Sequence, residues 1–472
     1  MPTTVSFRRL PGCPERGGRS AGPVEPRMPL AVRVGLVYAL FFVAGVAQAV
    51  IVPLLPRLSD RFALTATETA LLLAVPGLAT LAVSVPAGLA ADRFGARRMT
   101  LLAGLLMCLS SLAQMTPSLA ALLAGRVAFG VAFGIVWTTG MAWLADLDPG
   151  AGGRRLGPSV TCSSVGIMVG PAVGGMLAEM AGLAAPFLAV AGIAAAVVVP
   201  LAVGVPEARR RPAADAAREP LKAFRRPSDG SRRRGRSRSW GSLLGLLRRP
   251  GVAAATGALV VCGAVSGVSQ LLISSGLHRL GISTGRVGLA FSLAAVCYIA
   301  VSAGVVRLGR RTHTLRFNAL ATALLALALL PAVWGAGAAA LVAALLLSAV
   351  PRAAVSTIAY ALAAAPAART EPATGDEADG LERDGATDAA GRDGLVFGLL
   401  NGAWAAAMVL MPLVAGAMEQ RDGARAGYLA VILPSCAVAA WLLARSHDGG
   451  DGGRAGRVQQ LRGRLRELVS EG

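Results

Sequence analysis

Residues 88–98 read GLAADRFGARR, where one acid, three arginines and two glycines seven apart interrupt two long apolar runs. A joint this charged between runs this apolar marks a turn at a membrane surface, provided that the flanking runs are long enough to span. A bilayer-crossing helix needs roughly 20 mostly apolar residues, and the runs at 68–91 and 99–116 meet that length within a turn. Others follow the same rule, near 34–55, 119–145, 158–180, 184–204, 252–276, 286–306, 317–335, 337–365, 394–418 and 427–444. Unpaired backbone groups are too costly in lipid, so runs without strict alternation are helices. The composition agrees: 54% of the residues are hydrophobic and 15% charged, against roughly a quarter charged in a soluble domain. The expected fold is an all-α membrane protein, with twelve transmembrane helices in two six-helix pseudo-repeat bundles.

The net charge of +20 would suit nucleic acid, but its placement points elsewhere. Of the 46 basic residues, 38 lie in alternate segments that share the side of both chain ends, six lie on the opposite side, and Arg126 and Arg352 lie inside spans. By the positive-inside rule both termini are cytoplasmic, and the cell membrane is the expected location. No aromatic residues are interleaved with the basic runs, so nucleic acid is not an expected partner; the bilayer is, and a monomer is expected. The predicted domains are a disordered basic N-terminus (1–33), a first bundle (34–204), a basic linker (205–250), a second bundle (251–445) with an acidic loop (366–393), and a C-terminal tail (446–472). The linker touches anionic lipid, and VQQLRGRLRELVSEG in the tail forms an amphipathic surface helix. The first thirty residues lack the apolar core of a signal peptide, and Met28 is a candidate start.

No cofactor is expected. Cys108, Cys162, Cys262, Cys297 and Cys436 lie in spans and Cys13 in the basic leader, without metal-ligand spacing or a disulfide pattern. His278, His313 and His447 are far apart, and the single lysine, Lys222, has no glycine loop before it, which excludes a P-loop.

The opening joint has an echo. VRLGRRT, from Val306, follows the eighth span as DRFGARR follows the second; aligning Gly95 with Gly309 pairs Arg93 with Arg307 and Arg97 with Arg311, while Asp92 faces Val306. Duplicated halves place a substrate at mid-membrane, between the repeats. The pattern G-x-x-x-D-R-x-G-x-R-R resembles the signature between helices 2 and 3 of the major facilitator superfamily. That resemblance implies a cytoplasmic gate latch centred on Asp92, with Arg93, Arg97 and Arg98 around it, Gly88 allowing close helix approach and Gly95 the turn. Ala96 departs from the family, which usually has a basic residue there.

Two further motifs lie in the first half. In the fourth span Arg126, Gly130 and Gly134 recur every four residues, which puts them on one stripe. The stripe resembles the family's helix 4 motif, whose arginine is linked to proton coupling; an arginine reaching toward the outer interface is the plainer alternative. In the fifth span GIMVGPAVGG places Gly166, Gly170 and Gly174 at spacing four, with Pro171 and Gly175 beside them. Small residues repeated in this way let helices approach closely. The full pattern resembles the helix 5 motif of the drug/proton antiporter branch, where it packs helix 5 on the opposite half as a hinge and a seal. The implied activity is secondary export of a small organic molecule or drug in exchange for protons, by alternating access. Import or facilitated passage of an organic anion is the alternative, and a non-transport membrane enzyme a distant one.

Two departures qualify that expectation. The first span, YALFFVAGVAQAVIVPLLP, offers only Gln48 where many antiporters carry an acid, and Asp92, Asp146, Glu179 and Glu419 all lie near span ends. Asp92 and Glu179, with Arg126, are therefore the candidate proton-coupling groups. Arg352 stands near mid-membrane in the tenth span with no acid of the second half placed to pair with it. It either bonds backbone carbonyls beside Pro351 or meets an anionic or polar substrate. The remaining cavity candidates are polar or aromatic groups inside spans: Gln48, Trp137, Thr138, Gln270, Tyr298, Tyr360, Asn401 and Trp404.

Overall fold

The computed structural model describes residues 28–147, 156–204, 247, 249–309, 312, 314–335, 337–364 and 378–446. There the chain is helical, with no strand among the described residues, and twelve helices are long and apolar enough to cross a membrane. They are α1 (Leu30–Phe62), α2 (Ala66–Ser84, its helix running on to Phe94), α3 (Ala96–Gln114), α4 (Leu119–Leu147), α5 (Leu156–Ala181) and α6 (Ala185–Gly204). After them come α7 (Gly251–Arg279), α8 (Thr284–Leu308), α9 (Leu315–Trp334), α10 (Ala338–Ala363), α11 (Gly398–Asp422) and α12 (Ala424–Ser446). The expected leader, basic linker and amphipathic tail helix fall almost wholly outside the described residues.

Each half has its own apolar core. One is built around Phe41, Phe129 and Phe187 within α1–α6, the other around Leu272, Leu325 and Ile358 within α7–α12. Large apolar side chains such as Leu102, Leu109, Leu289, Leu324 and Leu433 remain exposed, a surface suited to acyl chains and not to water.

Helix ends carry the signals that their sequences supply. Thr65 and Glu68 form a reciprocal capping box at the start of α2, and the Ser118 and Thr314 side chains cap α4 and α9. Four spans are not regular; α9 is broken by a turn at Ala328–Leu329, between helical stretches Leu315–Leu327 and Leu330–Trp334. In α1 a 3₁₀ turn at Val52–Leu54, with Pro53 inside it, joins two helical stretches, while α4 and α7 each contain a π turn, at Val136–Gly140 and Ser269–Ile273. The second π turn carries Gln270, which faces the cavity described below.

One boundary differs from the sequence reading. The acidic segment expected to be a loop through residue 393 is helical from Ala378, continuous with α11. Extending an established helix requires no new nucleation, so the segment is helical although its glycines and aspartates have poor helix propensity.

The joints α2–α3 and α8–α9 lie on one side of the array, here the basic face; the α1–α2 and α7–α8 turns lie on the other, the far face. The echo between the two joints is also one of conformation: Gly95 ends α2 at φ +96° and Gly309 ends α8 at φ +58°. An L-residue is strained at such angles, typically by 1–3 kcal/mol. Gly88 differs, because a Cβ there would stand 3.7 Å from Thr138, an ordinary contact. Gly95→Ala is accordingly expected to lower the unfolding temperature in detergent by an amount corresponding to about 1–3 kcal/mol, and Gly88→Ala to leave it little changed.

Candidate functional site

The site is organised by α5. Its stripe of Gly166, Gly170 and Gly174 lies on α1 of the same half: a Cβ on Gly166 would collide with the Phe42 carbonyl, one on Gly170 would come within 2.9 Å of the Val46 carbonyl, and one on Gly174 within 2.6 Å of the Val50 carbonyl. The opposite half is met by the neighbouring face. A Cβ on Gly175 would overlap the Thr284 carbonyl of α8, and one on Gly288 of α8 would overlap the Pro171 carbonyl. The amide of Ala172, just past the proline, donates to Ser292 Oγ of α8 at 3.0 Å. The motif thus serves two partners, where the resemblance implied one.

The second half repeats this device. Pro412 and Gly416 in α11 have the spacing of Pro171 and Gly175, and a Cβ on Gly416 would come within 2.9 Å of the Ala66 carbonyl, at the first residue of α2. One turn further along, Glu179 Oε2 accepts from the Gly285 amide at 2.9 Å, while Gln420 Oε1 accepts from Thr67 Oγ1 at 3.1 Å. Each half therefore presents Pro-x-x-x-Gly-x-x-x-Glx to the N-terminus of a helix in the other half. The Glu179 carboxylate fills the capping role that the Ser283 side chain leaves unfilled, and its charge complements the positive end of α8. Two more bonds join the halves here, His278 to Asp60 at 2.8 Å and Ser274 Oγ to the Val52 carbonyl at 2.8 Å. These hydrogen bonds between the halves lie at the far face or mid-membrane.

Behind this closure lies a cavity of about 380 Å³ between the halves. From α1 and α5 it receives mainly Ala49, Val52, Ile167 and Pro171, with Gln48 and Ser164 as their polar groups; most other polar groups come from α7, α8, α10 and α11. Seven of the expected cavity residues meet here: Gln48, Gln270, Tyr298, Arg352, Tyr360, Asn401 and Trp404. Arg352 is half-buried, and its guanidinium carbon lies 5.5 Å from the centre of the Tyr298 ring. Tyr298 hydrogen-bonds to Ser356 Oγ at 2.7 Å, and Tyr360 donates to Asn401 Oδ1 at 2.5 Å. Among the described residues no carboxylate lines the cavity. The plainer reading of Arg352 does not hold: its carbonyl accepts from the Cys262 thiol, but no hydrogen bond runs from its guanidinium to a described residue.

Trp137 is not in the cavity. It packs edge-on against Phe41 at 5.3 Å, with its buried indole N–H unpartnered, and the Thr138 hydroxyl returns to its own helix at the Gly134 carbonyl. The α4 stripe packs on α2 instead: Thr80 Oγ1 donates to the Gly130 carbonyl at 2.8 Å, and a Cβ on Gly134 would come within 2.6 Å of Val83. Arg126 is buried there, 3% exposed, with Nε donating to the Leu72 carbonyl at 2.9 Å, its guanidinium 5.5 Å from the Phe129 ring centre and Nη1 without a partner. It neither reaches an interface nor lines the cavity. At the basic face Asp92 is exposed, while Arg97 donates to the Ala202 carbonyl of α6 at 3.1 Å and Arg93 lies over Phe94; Arg98 is also exposed. Sequence reasoning missed Ser266 and Ser356 as lining groups, although Ser266 is four residues from both Cys262 and Gln270, and Ser356 four from Arg352, the spacing of a shared helical face.

Twelve spans in two halves, closed on one side of a central cavity, form the frame of a membrane transporter. The family model of the Major Facilitator Superfamily matches residues 37–375, and the chain belongs to that family. It is 31% identical over 172 residues to the uncharacterized MFS-type transporter C18.02 of Schizosaccharomyces pombe, covering 35% of this chain and 38% of that one. It is likewise 31% identical over 162 residues to the multidrug efflux pump LfrA of Mycolicibacterium smegmatis, covering 33% of this chain and 31% of that one. The chain thus spans about a third of the length of these relatives. Among solved structures it resembles a bacterial homolog to the human lysosomal transporter Spinster in an inward-facing, unoccupied conformation, with TM-score 0.66 and 14% identity over 90% of this chain and 98% of that chain. That is a likeness of fold.

The cross-half cap at Glu179 can be tested directly. Losing a helix cap costs about 1 kcal/mol, roughly a fivefold shift in the balance between closed and open far faces. Glu179→Ala is expected to raise maleimide labelling, from the far side, of a single cysteine placed at Ser269 by about that factor, and Gln420→Ala by less, because it removes a neutral contact.

Proposed function

We propose that the chain exports a small organic molecule across the cell membrane by alternating access in exchange for protons, with both termini in the cytoplasm. The observation that carries this reading is the double position of Pro171, which lines the cavity and backs onto Gly288 of the opposite half. Movement of α5 about that residue alters the binding surface and the far-face seal together, which alternating access requires. Export is supported by the helix 5 pattern, Gly166 to Gly175, and by the efflux pump among the relatives.

Because the cavity has no lining carboxylate, proton exchange in this reading acts on the gate. Glu179 is exposed at the far face and caps α8 as an acceptor. A proton taken up from outside removes the charge that favours the cap and eases opening toward the side where substrate leaves; the return step then delivers that proton to the cytoplasm as the far face recloses. Asp92 and its arginines form the opposing latch in the state closed at the basic face, while Arg126 holds the other end of α2 through the Leu72 carbonyl. Arg352 favours a second reading, import or facilitated passage of an organic anion; the direction of flux separates the two.

The test is substrate flux in inside-out vesicles and proteoliposomes. Expression is expected to lower cellular accumulation, and collapsing the proton gradient is expected to abolish uphill export. Raised accumulation would reject export, and uphill transport indifferent to the gradient would reject proton exchange. Glu179→Gln is expected to uncouple export from the gradient while leaving passive exchange of substrate intact.

A further inference from the structure

We propose that the cavity selects a singly charged organic anion with a flat apolar body, holding its one oxyanion on Arg352; this rests on the transport reading above and names the solute. A guanidinium has five N–H donors in a planar fork that matches an oxyanion. None of those of Arg352 goes to a described residue, although the group sits in the membrane interior. Its guanidinium carbon lies 5.5 Å from the centre of the Tyr298 ring, within cation–π range, and its N–H donors, which no described group accepts, remain available to a ligand. An intramembrane arginine without a protein counter-charge is costly, and no carboxylate among the described lining residues supplies one. The missing charge therefore comes from the solute.

The number of charges follows from the same inventory. Among the described residues Arg352 is the single ionised side chain on the cavity wall. Arg126 is buried against α2 and does not line it. A second negative charge on the solute would enter the membrane unpaired, and a cation would meet like charge with no acid to receive it. The neighbouring polar groups are neutral and already engaged, Tyr298 with Ser356 and Tyr360 with Asn401. The wall facing the rest of the solute is apolar and aromatic, with Phe291, Trp404, Met408 and Leu345. About 380 Å³ is at the small end of the range for ligand sites, which suits a one- or two-ring body.

The test is equilibrium binding to purified full-length protein of three labelled probes of closely similar size: naphthoate, its neutral amide naphthamide, and naphthylmethylammonium. Naphthoate is expected to bind about tenfold or more tighter than either of the others. Arg352→Ala is expected to remove that margin with naphthamide binding unchanged. Arg352→Lys, which keeps the charge without the planar fork, is expected to retain part of it and shows that the loss is not one of folding. Equal or tighter binding of the amide or the cation, an undiminished margin in Arg352→Ala, or no binding of any probe would overturn the proposal. Flux of each bound probe in proteoliposomes separates the two levels: a transported amide that binds as well as naphthoate counts against the anion alone, while bound probes that never cross count against transport.

Discussion

Between helices in a bilayer the hydrophobic effect offers little, because an apolar side chain is as well placed against lipid as against another helix; association depends on how closely backbones approach. In this chain that constraint falls on α5. Gly166, Gly170 and Gly174 bring its backbone against α1, while Gly175 and Pro171 bring the adjacent face against α8. The far-face closure, the position of the cavity and the junction of the two halves all follow from one helix being narrow on two sides. The second half reaches the same result differently, with Gly263 and Gly267 of α7 against the α11 backbone and Gly416 of α11 against the start of α2.

The twelve spans were legible because lipid imposes a length and a composition on each of them, independent of neighbours. Several cavity residues were legible for a related reason: Gln48, Gln270, Tyr298, Arg352, Asn401 and Trp404 carry polar or amphipathic groups that lipid tolerates poorly, so they face the protein interior. The direction each helix faces was less legible. Consecutive residues on a helix differ by about 100°, so Gly174 and Gly175 meet different partners although the motif reads as one unit. Trp137 was misplaced for the same reason. The residues around it, in FGIVWTTGMAW, are apolar or small on every side, and nothing in that pattern distinguishes a neighbour such as Phe41 from a cavity.

The far-face staples were illegible on other grounds. A cap read from sequence is sought next to the helix it caps, whereas α8 receives its cap from Glu179, more than a hundred residues earlier and in the other half. The acidic segment before α11 misled in the opposite way: its glycines and charges read as loop, yet continuity with a long helix carried it into helical form from Ala378.

The seal and the binding surface use different currencies of structure. Closing the far face takes Gly175, Gly288 and Gly416 against the main chain of the other half, with end contacts from Glu179, Gln420, Ser274 and the His278–Asp60 pair, while recognition is concentrated in other side chains, of α7, α8, α10 and α11. Substitutions at Tyr298, Ser356, Asn401 or Trp404 alter what fits the cavity without touching the atoms that keep the membrane tight. A transporter divided in this way can change its cargo over evolutionary time one side chain at a time, with leak and specificity under separate selection.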